Sequence, residues 1–284
     1  MSRLTHAVVS LAVLDVRRRP DHRAELASQF LLGEVVRVLG AQPGGQWWRV
    51  EGLADGYRGW VRGWGLVRVP RARARSWQLK AVARVAVAMV EARSGPGRRL
   101  LVSPLFLNSR VIAGRRRGSH REVELPDGRR GWVPVSALAG VDETVPLLER
   151  IRSLLGVPYH WGGRTALGLD CSGLTQLVLA EQGLALPRDA AHQLLVSRPL
   201  LDEEEAEPGD LIFFAAPGRP PGHVGIGLGG GYYAHCRGMV RISSVEFSSP
   251  LYDKELMPQM MGWWRPVATP ASGLRRTRGR GRST

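Results

Sequence analysis

The chain has 284 residues, of which 44% are hydrophobic, and a formal net charge of +15. This composition excludes a fibrous or disordered protein and allows two or three domains, each with its own core. Two cysteines exclude a disulfide scaffold, and no stretch approaches the ~20 apolar residues of a membrane span.

Much of the positive charge lies in two segments without acidic residues, 68–80 and 266–284. The excess therefore belongs to a linker and a tail and not to a folded face with interleaved aromatic side chains. We expect no specific nucleic-acid partner, only salt-sensitive adhesion to polyanions. Residues 1–6 do not open a secretory signal, which predicts a cytoplasmic protein without membrane association.

The first 70 residues alternate short apolar stretches with turn signals, the pattern of a small β-barrel. The turn signals are Arg19-Pro20-Asp21, Pro43-Gly44-Gly45 and Ala54-Asp55-Gly56. The predicted strands are residues 7–13, 29–32, 35–39, 47–50, 59–61 and 66–69.

Residues 80–138 repeat this plan. Asp127-Gly128 before Gly131-Trp132-Val133 corresponds to Asp55-Gly56 before Gly59-Trp60-Val61. The repeated segment resembles the hairpin and core strand of bacterial SH3-like barrels. We therefore expect two small all-β SH3-like barrels, over residues 1–70 and 80–141, with Trp60 and Trp132 in their cores. Residues 71–79 are predicted to be a basic linker and residues 269–284 a disordered basic tail.

From residue 142 the pattern becomes that of an α+β domain, which we expect to extend to residue 268. One helix is predicted with Leu147, Leu148, Ile151, Leu154 and Leu155 on one face, Asp142 or Thr144 as N-cap and Gly156 past its end. A second helix is predicted from Cys171 to about Gly183. The predicted strands are residues 211–214, 223–228, 232–236, 239–242 and 261–264.

Cys171 follows a loop rich in glycine and proline and opens an apolar pattern with helical spacing. At a helix N-terminus, the helix dipole and the free N–H groups favour a thiolate, which predicts a pKa below the usual ~8.5. The same N–H groups can hold the oxyanion of an acyl-transfer intermediate. A buried, inert cysteine is the alternative, because free cysteine is among the most buried residue types.

Two of the seven histidines lie in the predicted strands. If the three glycines 229–231 form the hairpin loop, Leu228 faces Tyr232 and Gly225 faces His235. His223 then lies diagonal to His235 on the same face of the sheet.

This arrangement makes His223 a candidate base for the cysteine thiol and His235 the group that fixes its tautomer. Tyr159 is a candidate hydroxyl donor to the oxyanion. Cys236 alternates away from His235 and should face the opposite side of the sheet. No Cys-x-x-Cys or His-x-x-x-His spacing is present, so we expect neither a metal nor a cofactor.

Six motifs follow one another in this half of the chain. They are Pro158-Tyr159-His160-Trp161-Gly162-Gly163, Asp170-Cys171-Ser172-Gly173, Leu186-Pro187-Arg188-Asp189, Pro208-Gly209-Asp210-Leu211-Ile212-Phe213-Phe214, Gly222-His223-Val224-Gly225-Ile226 and Ala234-His235. In this order they resemble the NlpC-type (NlpC and p-sixty) papain-like cysteine peptidases of bacterial cell walls. The resemblance implies Cys171 as nucleophile, His223 as base and His235 as the third member.

The double barrel with this domain is similar to one branch, the γ-D-glutamyl-L-diamino-acid endopeptidases, which cut wall-derived peptides that carry a free N-terminal L-alanine. The resemblance implies that barrel and peptidase residues together bind the substrate ammonium, whose burial requires carboxylate and hydroxyl partners. The matching positions are Glu25, Tyr57, Asp170, Ser172 and Asp189, with Tyr159 and Trp161 as pocket walls. The branch usually carries serine where this chain has Ala190, which implies weaker or broader recognition.

The expected function is a cytoplasmic cysteine endopeptidase of murein-peptide recycling, whose partner is a murein-derived tripeptide or tetrapeptide with a free L-alanine. Two alternatives stay open. One is a wall-fragment binding protein with a degenerate catalytic half, and the other is amidase or acyltransferase chemistry on the same fold. Glu25 and Tyr57 could instead be surface residues of the barrel without a binding role. Asp170 could instead be the N-cap of the helix, or serve both roles.

Overall fold

The computed structural model describes residues 4–97, 99–140, 143–201 and 205–267. Within these ranges the chain is mostly β-structure, with four α-helices. The predictions for Asp142 and for the tail 269–284 lie outside the described residues. No described helix has the length and apolarity that crossing a bilayer would require.

The first sheet contains β1 (His6–Val9), β2 (Val13–Arg17), β3 (Leu26–Leu31), β4 (Val35–Ala41), β5 (Trp47–Gly52), β6 (Arg58–Arg62) and β7 (Leu66–Val69). Their order is β3-β2-β6-β5-β4-β1-β7. The prediction of one strand over residues 7–13 is wrong, because β1 ends at Val9 and a new strand starts at Val13. In β2, Leu14 and Val16 are buried, while Asp15 and Arg17 pair with each other at 2.6 Å.

The second sheet contains β8 (Ala83–Val85), β9 (Met89–Arg93), β10 (Leu101–Phe106), β11 (Arg110–Arg117), β12 (His120–Glu124), β13 (Arg130–Pro134) and β14 (Leu138–Ala139). Its order, β10-β9-β13-β12-β11-β8-β14, is that of the first sheet with each strand number raised by seven. The predicted duplication is therefore present in the topology. The pairing closes neither sheet into a barrel among the described strands, so two closed barrels are not confirmed.

The two repeated tryptophans differ in their surroundings. Trp132 is buried, with the Arg115 guanidinium 5.4 Å from its ring. Trp60 is half-buried and lies outside the core that Val16, Phe30 and Val50 form. The prediction of Trp60 as a core residue is wrong.

The predicted basic linker is a helix, α1 (Arg71–Lys80), that packs on the first sheet. Ala74 and Trp77 are buried against Val8 and Val35, and the Trp77 indole N–H donates to the Gly33 carbonyl at 3.0 Å. The arginines that alternate with alanine in this stretch face solvent. The segment therefore joins the two sheets as a docked element.

The third unit contains α2 (Leu147–Arg152), β15 (Arg164–Thr165), β16 (Gly168–Leu169), α3 (Cys171–Glu181), α4 (Ala190–Leu195), β17 (Ser197–Pro199), β18 (Leu211–Phe214), β19 (His223–Gly229), β20 (Tyr232–Arg237), β21 (Met239–Ser244) and β22 (Met260–Pro266). Six strands form an antiparallel sheet in the order β17-β22-β18-β19-β20-β21. The core between α3 and this sheet includes Leu174, Val178, Val224, Ile226 and Ala234. This is the expected α+β layout.

The helix predicted from residue 142 is shorter than expected. Its N-cap is Pro146, which makes no side-chain hydrogen bond, so the prediction of Thr144 as N-cap is wrong. Ile151 is fully buried, whereas Leu148 and Leu155 are 43% and 45% exposed. The helix ends at Arg152, before Leu155, so the prediction that all five apolar residues share one helix face is wrong.

Buried ion pairs fix the two sheets to the third unit. Arg164 contacts Glu34 of the first sheet at 3.1 Å. Glu181, at the end of α3, is bound by Arg84 of the second sheet and by Arg150 of α2, all three nearly inaccessible to solvent. Gly162, with φ +76, approaches the first sheet so closely that a Cβ would lie 2.6 Å from the Leu26 carbonyl oxygen.

Candidate active site

Cys171 is the first residue of α3, as the sequence predicted. Asp170 is the N-cap, and its Oδ1 accepts the Gly173 N–H at 2.6 Å, while its Oδ2 accepts the Gly162 N–H at 2.9 Å. The cysteine is buried, with 7% of its surface exposed. The loop and the helix therefore hold the thiol beneath the surface at the start of α3.

The protonation state of Cys171 differs from the prediction. Burial raises the pKa of its thiol to about 11, and the Asp170 carboxylate adds to the rise. Backbone N–H groups of Val224 and Ser172 and the charge of Arg188 lower this pKa, but by less. The expectation of a lowered pKa is therefore wrong. Burial in the core raises the pKa by more than the N–H groups at the helix start lower it.

The register of the two histidine strands agrees with the prediction, but for a different reason. Gly225 faces His235, as expected, whereas Tyr232 faces Gly229 and not Leu228. The register shifts by one residue between Gly227 and Gly229, which forms a bulge in the strand. Gly229 is therefore paired in the sheet, and the loop has two residues instead of the expected three. The shorter loop and the extra residue in the strand compensate each other, so the parity at His235 is kept.

The two histidines are hydrogen-bonded. Nε2 of His223 lies 2.8 Å from Nδ1 of His235, and Nε2 of His235 lies 3.0 Å from Oγ of Ser243. Burial lowers the pKa of His223 to about 4 and, together with the neighbouring His223, the pKa of His235 to about 3. Both rings are therefore neutral at pH 7.

The sulfur and the base lie at the same end of β19. The backbone N–H of Val224, the residue after His223, hydrogen-bonds to the Cys171 sulfur and acts to lower its pKa. Neither ring nitrogen of His223 is hydrogen-bonded to that sulfur among the described residues. The resting pair is thus a thiol and a neutral imidazole, not an ion pair, and His223 Nδ1 is the ring nitrogen left free for proton transfer.

The predicted pocket walls border the cysteine and the first sheet. Burial raises the pKa of Tyr159 to about 12, and Cys171 is the next cause, so the tyrosine lies near the sulfur as a neutral hydroxyl. Trp161 is 59% exposed, and its indole N–H donates to Oε1 of Glu25 at 3.0 Å. Glu25 also lies 3.7 Å from Arg18.

Tyr57 and Asp189 come together across the domain boundary. Burial raises the pKa of Tyr57 to about 12, and Asp189 contributes to this rise by charge and by hydrogen bonding. The Tyr57 hydroxyl donates to the Ala27 carbonyl at 3.3 Å. Asp189 starts α4 without capping it through its side chain. Glu25, Tyr57 and Asp189 thus line the border between the first sheet and the third unit.

Asp170 and Ser172 are engaged by a residue that sequence reasoning left without a role. Arg188, which is buried, donates to both oxygens of Asp170 at 3.0 and 2.6 Å, to Ser172 Oγ at 2.9 Å and to Ser28 Oγ of the first sheet at 3.0 Å. Ala190 is buried in the first turn of α4. Amine binding by Asp170 and Ser172 stays a prediction, whereas the N-cap role of Asp170 is confirmed.

One further position, Ser243, went unrecognised, whereas the orientation of Cys236 was predicted. Ser243 lies at the end of a strand, and no local pattern distinguishes it from other strand serines. Cys236 does face away from His235, as predicted, and its Sγ lies 3.0 Å from the Leu169 carbonyl. No cluster of three potential metal ligands occurs among the described residues.

Family models match two separate parts of the chain. Residues 156–260 match the NlpC/P60 family, and residues 16–66 match the bacterial dipeptidyl-peptidase SH3 domain. The gamma-D-glutamyl-L-lysine dipeptidyl-peptidase of Bacillus subtilis strain 168 is 35% identical over 128 residues, 44% of this chain and 42% of that protein. Dipeptidyl-peptidase 6 of Lysinibacillus sphaericus is 34% identical over 115 residues, 39% of this chain and 40% of that protein. The matches thus span about two fifths of these relatives.

Two solved structures share most of the fold. An NlpC/P60 family protein from Bacillus cereus ATCC 10987 superposes with a TM-score of 0.77 at 20% identity, over 93% of this chain and all of that one. An NlpC/P60 endopeptidase from Photobacterium damselae subsp. piscicida gives 0.67 at 15% identity, over 86% of this chain and 66% of that one. The chain therefore carries a bacterial dipeptidyl-peptidase SH3 domain followed by a domain of the NlpC/P60 peptidase family.

Proposed function

We propose that the chain is a cysteine endopeptidase that hydrolyses the γ-D-glutamyl to diamino-acid bond of murein peptides with a free N-terminal L-alanine. The observation that carries the proposal is the meeting of two groups of residues at one site. Cys171, His223 and His235 supply nucleophile, base and orienting partner, and Glu25 and Tyr57 of the SH3 domain border the same site. The name of the Bacillus subtilis relative, gamma-D-glutamyl-L-lysine dipeptidyl-peptidase, fits this substrate class.

The reaction starts from a thiol and a neutral imidazole. His223 Nδ1 takes the Cys171 proton as sulfur attacks the γ-carbonyl carbon, and the imidazolium gives that proton to the leaving amine. The resulting thioester is then cleaved by water, with His223 again acting as base. N–H groups at the start of α3 and the Tyr159 hydroxyl, which is neutral up to a pKa of about 12, stabilise the oxyanion.

The substrate ammonium binds between the two domains. Glu25 is held by the Trp161 N–H, and Asp189 adjoins the Tyr57 hydroxyl, so two carboxylates and a phenol are available from three chain segments. Asp170 keeps its buried partner Arg188 and acts mainly by fixing the helix start that carries Cys171. A longer peptide without a free amine lacks the positive charge that Glu25 and Asp189 would bind, which makes the site selective for a free N-terminus.

We assign the second sheet, which repeats the strand order of the first, as a second SH3-like domain. We place the protein in the cytoplasm, where it recycles tripeptides and tetrapeptides released from the wall. It acts without a metal or an organic cofactor.

The test uses L-Ala-γ-D-Glu-diaminopimelate, its lysine counterpart and the N-acetylated form of each, with mass spectrometry of the products. Both free-amine peptides should release L-Ala-D-Glu, and Cys171→Ala should abolish turnover while binding is retained. Tyr57→Phe should raise KM for the free-amine peptides more than for the acetylated ones. Turnover by Cys171→Ala would refute the mechanism, and equal effects of Tyr57→Phe on both peptides would remove the SH3 domain from recognition.

A further inference from the structure

The histidine pair continues into a third buried group on the neighbouring strand. Ser243 faces Tyr233 across β20 and β21, so its side chain lies on the same sheet face as Tyr233 and, two residues along, His235. His235 is fully buried and Ser243 is 1% exposed. Water therefore does not replace Ser243 as the partner of His235 Nε2.

The positions of the protons in the hydrogen-bonded series His223, His235 and Ser243 decide whether His223 can act as a base. A neutral imidazole has one N–H and one accepting nitrogen. His223 Nε2 contacts His235, so a base at Nδ1 requires the His223 proton on Nε2, donated to His235 Nδ1. His235 must then carry its own proton on Nε2, and this N–H requires an acceptor, which Ser243 Oγ provides at 3.0 Å.

The opposite direction of the same hydrogen bonds would disable the site. If Ser243 donated to His235 Nε2, His235 would donate from Nδ1 to His223 Nε2, and the His223 proton would then occupy Nδ1. The direction therefore depends on where the Ser243 hydroxyl hydrogen points. The Tyr233 hydroxyl lies on the same face, buried and without a hydrogen-bond partner of ordinary geometry. Burial raises the pKa of Tyr233 to about 12, and side-chain hydrogen bonding from Ser243 acts to lower it. A Ser243 O–H directed at Tyr233 leaves its lone pairs free for His235.

We propose that Ser243 is a positioning residue that sets the tautomer of His235 and thereby keeps Nδ1 of His223 unprotonated. Ser243 touches neither substrate nor sulfur and acts only through the two histidines. The inference rests on the proposed function for its turnover measurement, but the tautomer itself can be measured without a substrate.

The first experiment records long-range ¹H–¹⁵N correlations of the histidine rings in the ¹⁵N-labelled full chain at pH 7, with His235→Gln for assignment. In the wild type we expect His223 and His235 both protonated at Nε2. In Ser243→Ala we expect the Nδ1–H form of His235 to appear. A wild-type His235 that is protonated at Nδ1, or an unchanged tautomer in Ser243→Ala, would overturn the proposal.

The second experiment compares turnover of the free-amine tripeptide. Ser243→Ala should lower kcat by about 10- to 100-fold with KM nearly unchanged, since an orphaned buried N–H favours the wrong tautomer. Ser243→Thr, which retains the hydroxyl, should restore most of the activity. Ser244→Ala is the matched control, because Ser244 is an equally buried strand serine that accepts the Glu246 N–H instead.

Equal losses in Ser243→Ala and Ser244→Ala would indicate a merely structural effect and would overturn the proposal. A wild type that cleaves none of the peptides would refute the proposed function instead. The ring measurement would then still decide the role of Ser243.

Discussion

Replacing Arg188 by methionine should destabilise the protein by about 3 kcal/mol, because it leaves a buried carboxylate unpaired. Arg188 is 2% and Asp170 is 7% exposed, and the guanidinium binds both carboxylate oxygens. Breaking such a pair costs about 3–5 kcal/mol. We take the lower end, since the Gly162 and Gly173 N–H groups still bind Asp170. At the usual unfolding entropy per residue, this corresponds to a fall in Tm of about 5 °C.

Differential scanning calorimetry of the full chain measures this shift. The matched control is Arg130→Met, which breaks the exposed pair with Glu124 and should lower Tm by less than about 2 °C. The variant Arg188→Met with Asp170→Asn should recover part of the loss, since no unpaired charge then stays buried. A double variant less stable than Arg188→Met alone would refute the reasoning.

Two further predictions follow from the protonation of the site. Iodoacetamide should alkylate Cys171 slowly at pH 7 and about tenfold faster per pH unit up to pH 10, because burial raises its pKa to about 11; a rate that levels off near neutral pH would contradict this. The lowered pKa values of His223 and His235 mean that the unfolded chain binds more protons below pH 6.5, so stability present above pH 6.5 is lost as pH falls toward 4 and 3. Tm should therefore fall more from pH 7 to pH 5 in the wild type than in His235→Gln. Equal falls in the two proteins would contradict the lowered pKa of His235.

Features with a local signature were predictable from the sequence. The strand 211–214 coincides with β18, and the helix of Cys171 ends close to Gly183, because turn glycines and hydrophobic period mark such boundaries. The strand around Asp15 and Arg17 was missed because its outward face carries charge. The hairpin bulge at residue 228 was equally invisible, since no residue type signals it.

Properties that depend on tertiary burial could not be read from the sequence. Cys171 shows this most clearly, because the helix start and the core act on its pKa in opposite directions and only the structure shows that the core wins. Arg188 was visible as part of a motif, but its partners lie 160 residues away at Ser28 and 18 away at Asp170. The helix at residues 71–80 was predicted as a linker because two buried side chains among exposed arginines give little periodic signal.

Helix α3, which starts at Cys171, is bound at both of its ends by the N-terminal half of the chain. At its start, Asp170 reaches Ser28 through Arg188, and at its end Glu181 is bound by Arg84. A fragment that begins after the second sheet would expose the Glu181 carboxylate, lose one of its two arginines and open the apolar surface around it. Trimming the chain to residues 142–268, or exchanging its N-terminal half for an unrelated domain, should therefore make the fragment insoluble, whether or not it binds a substrate.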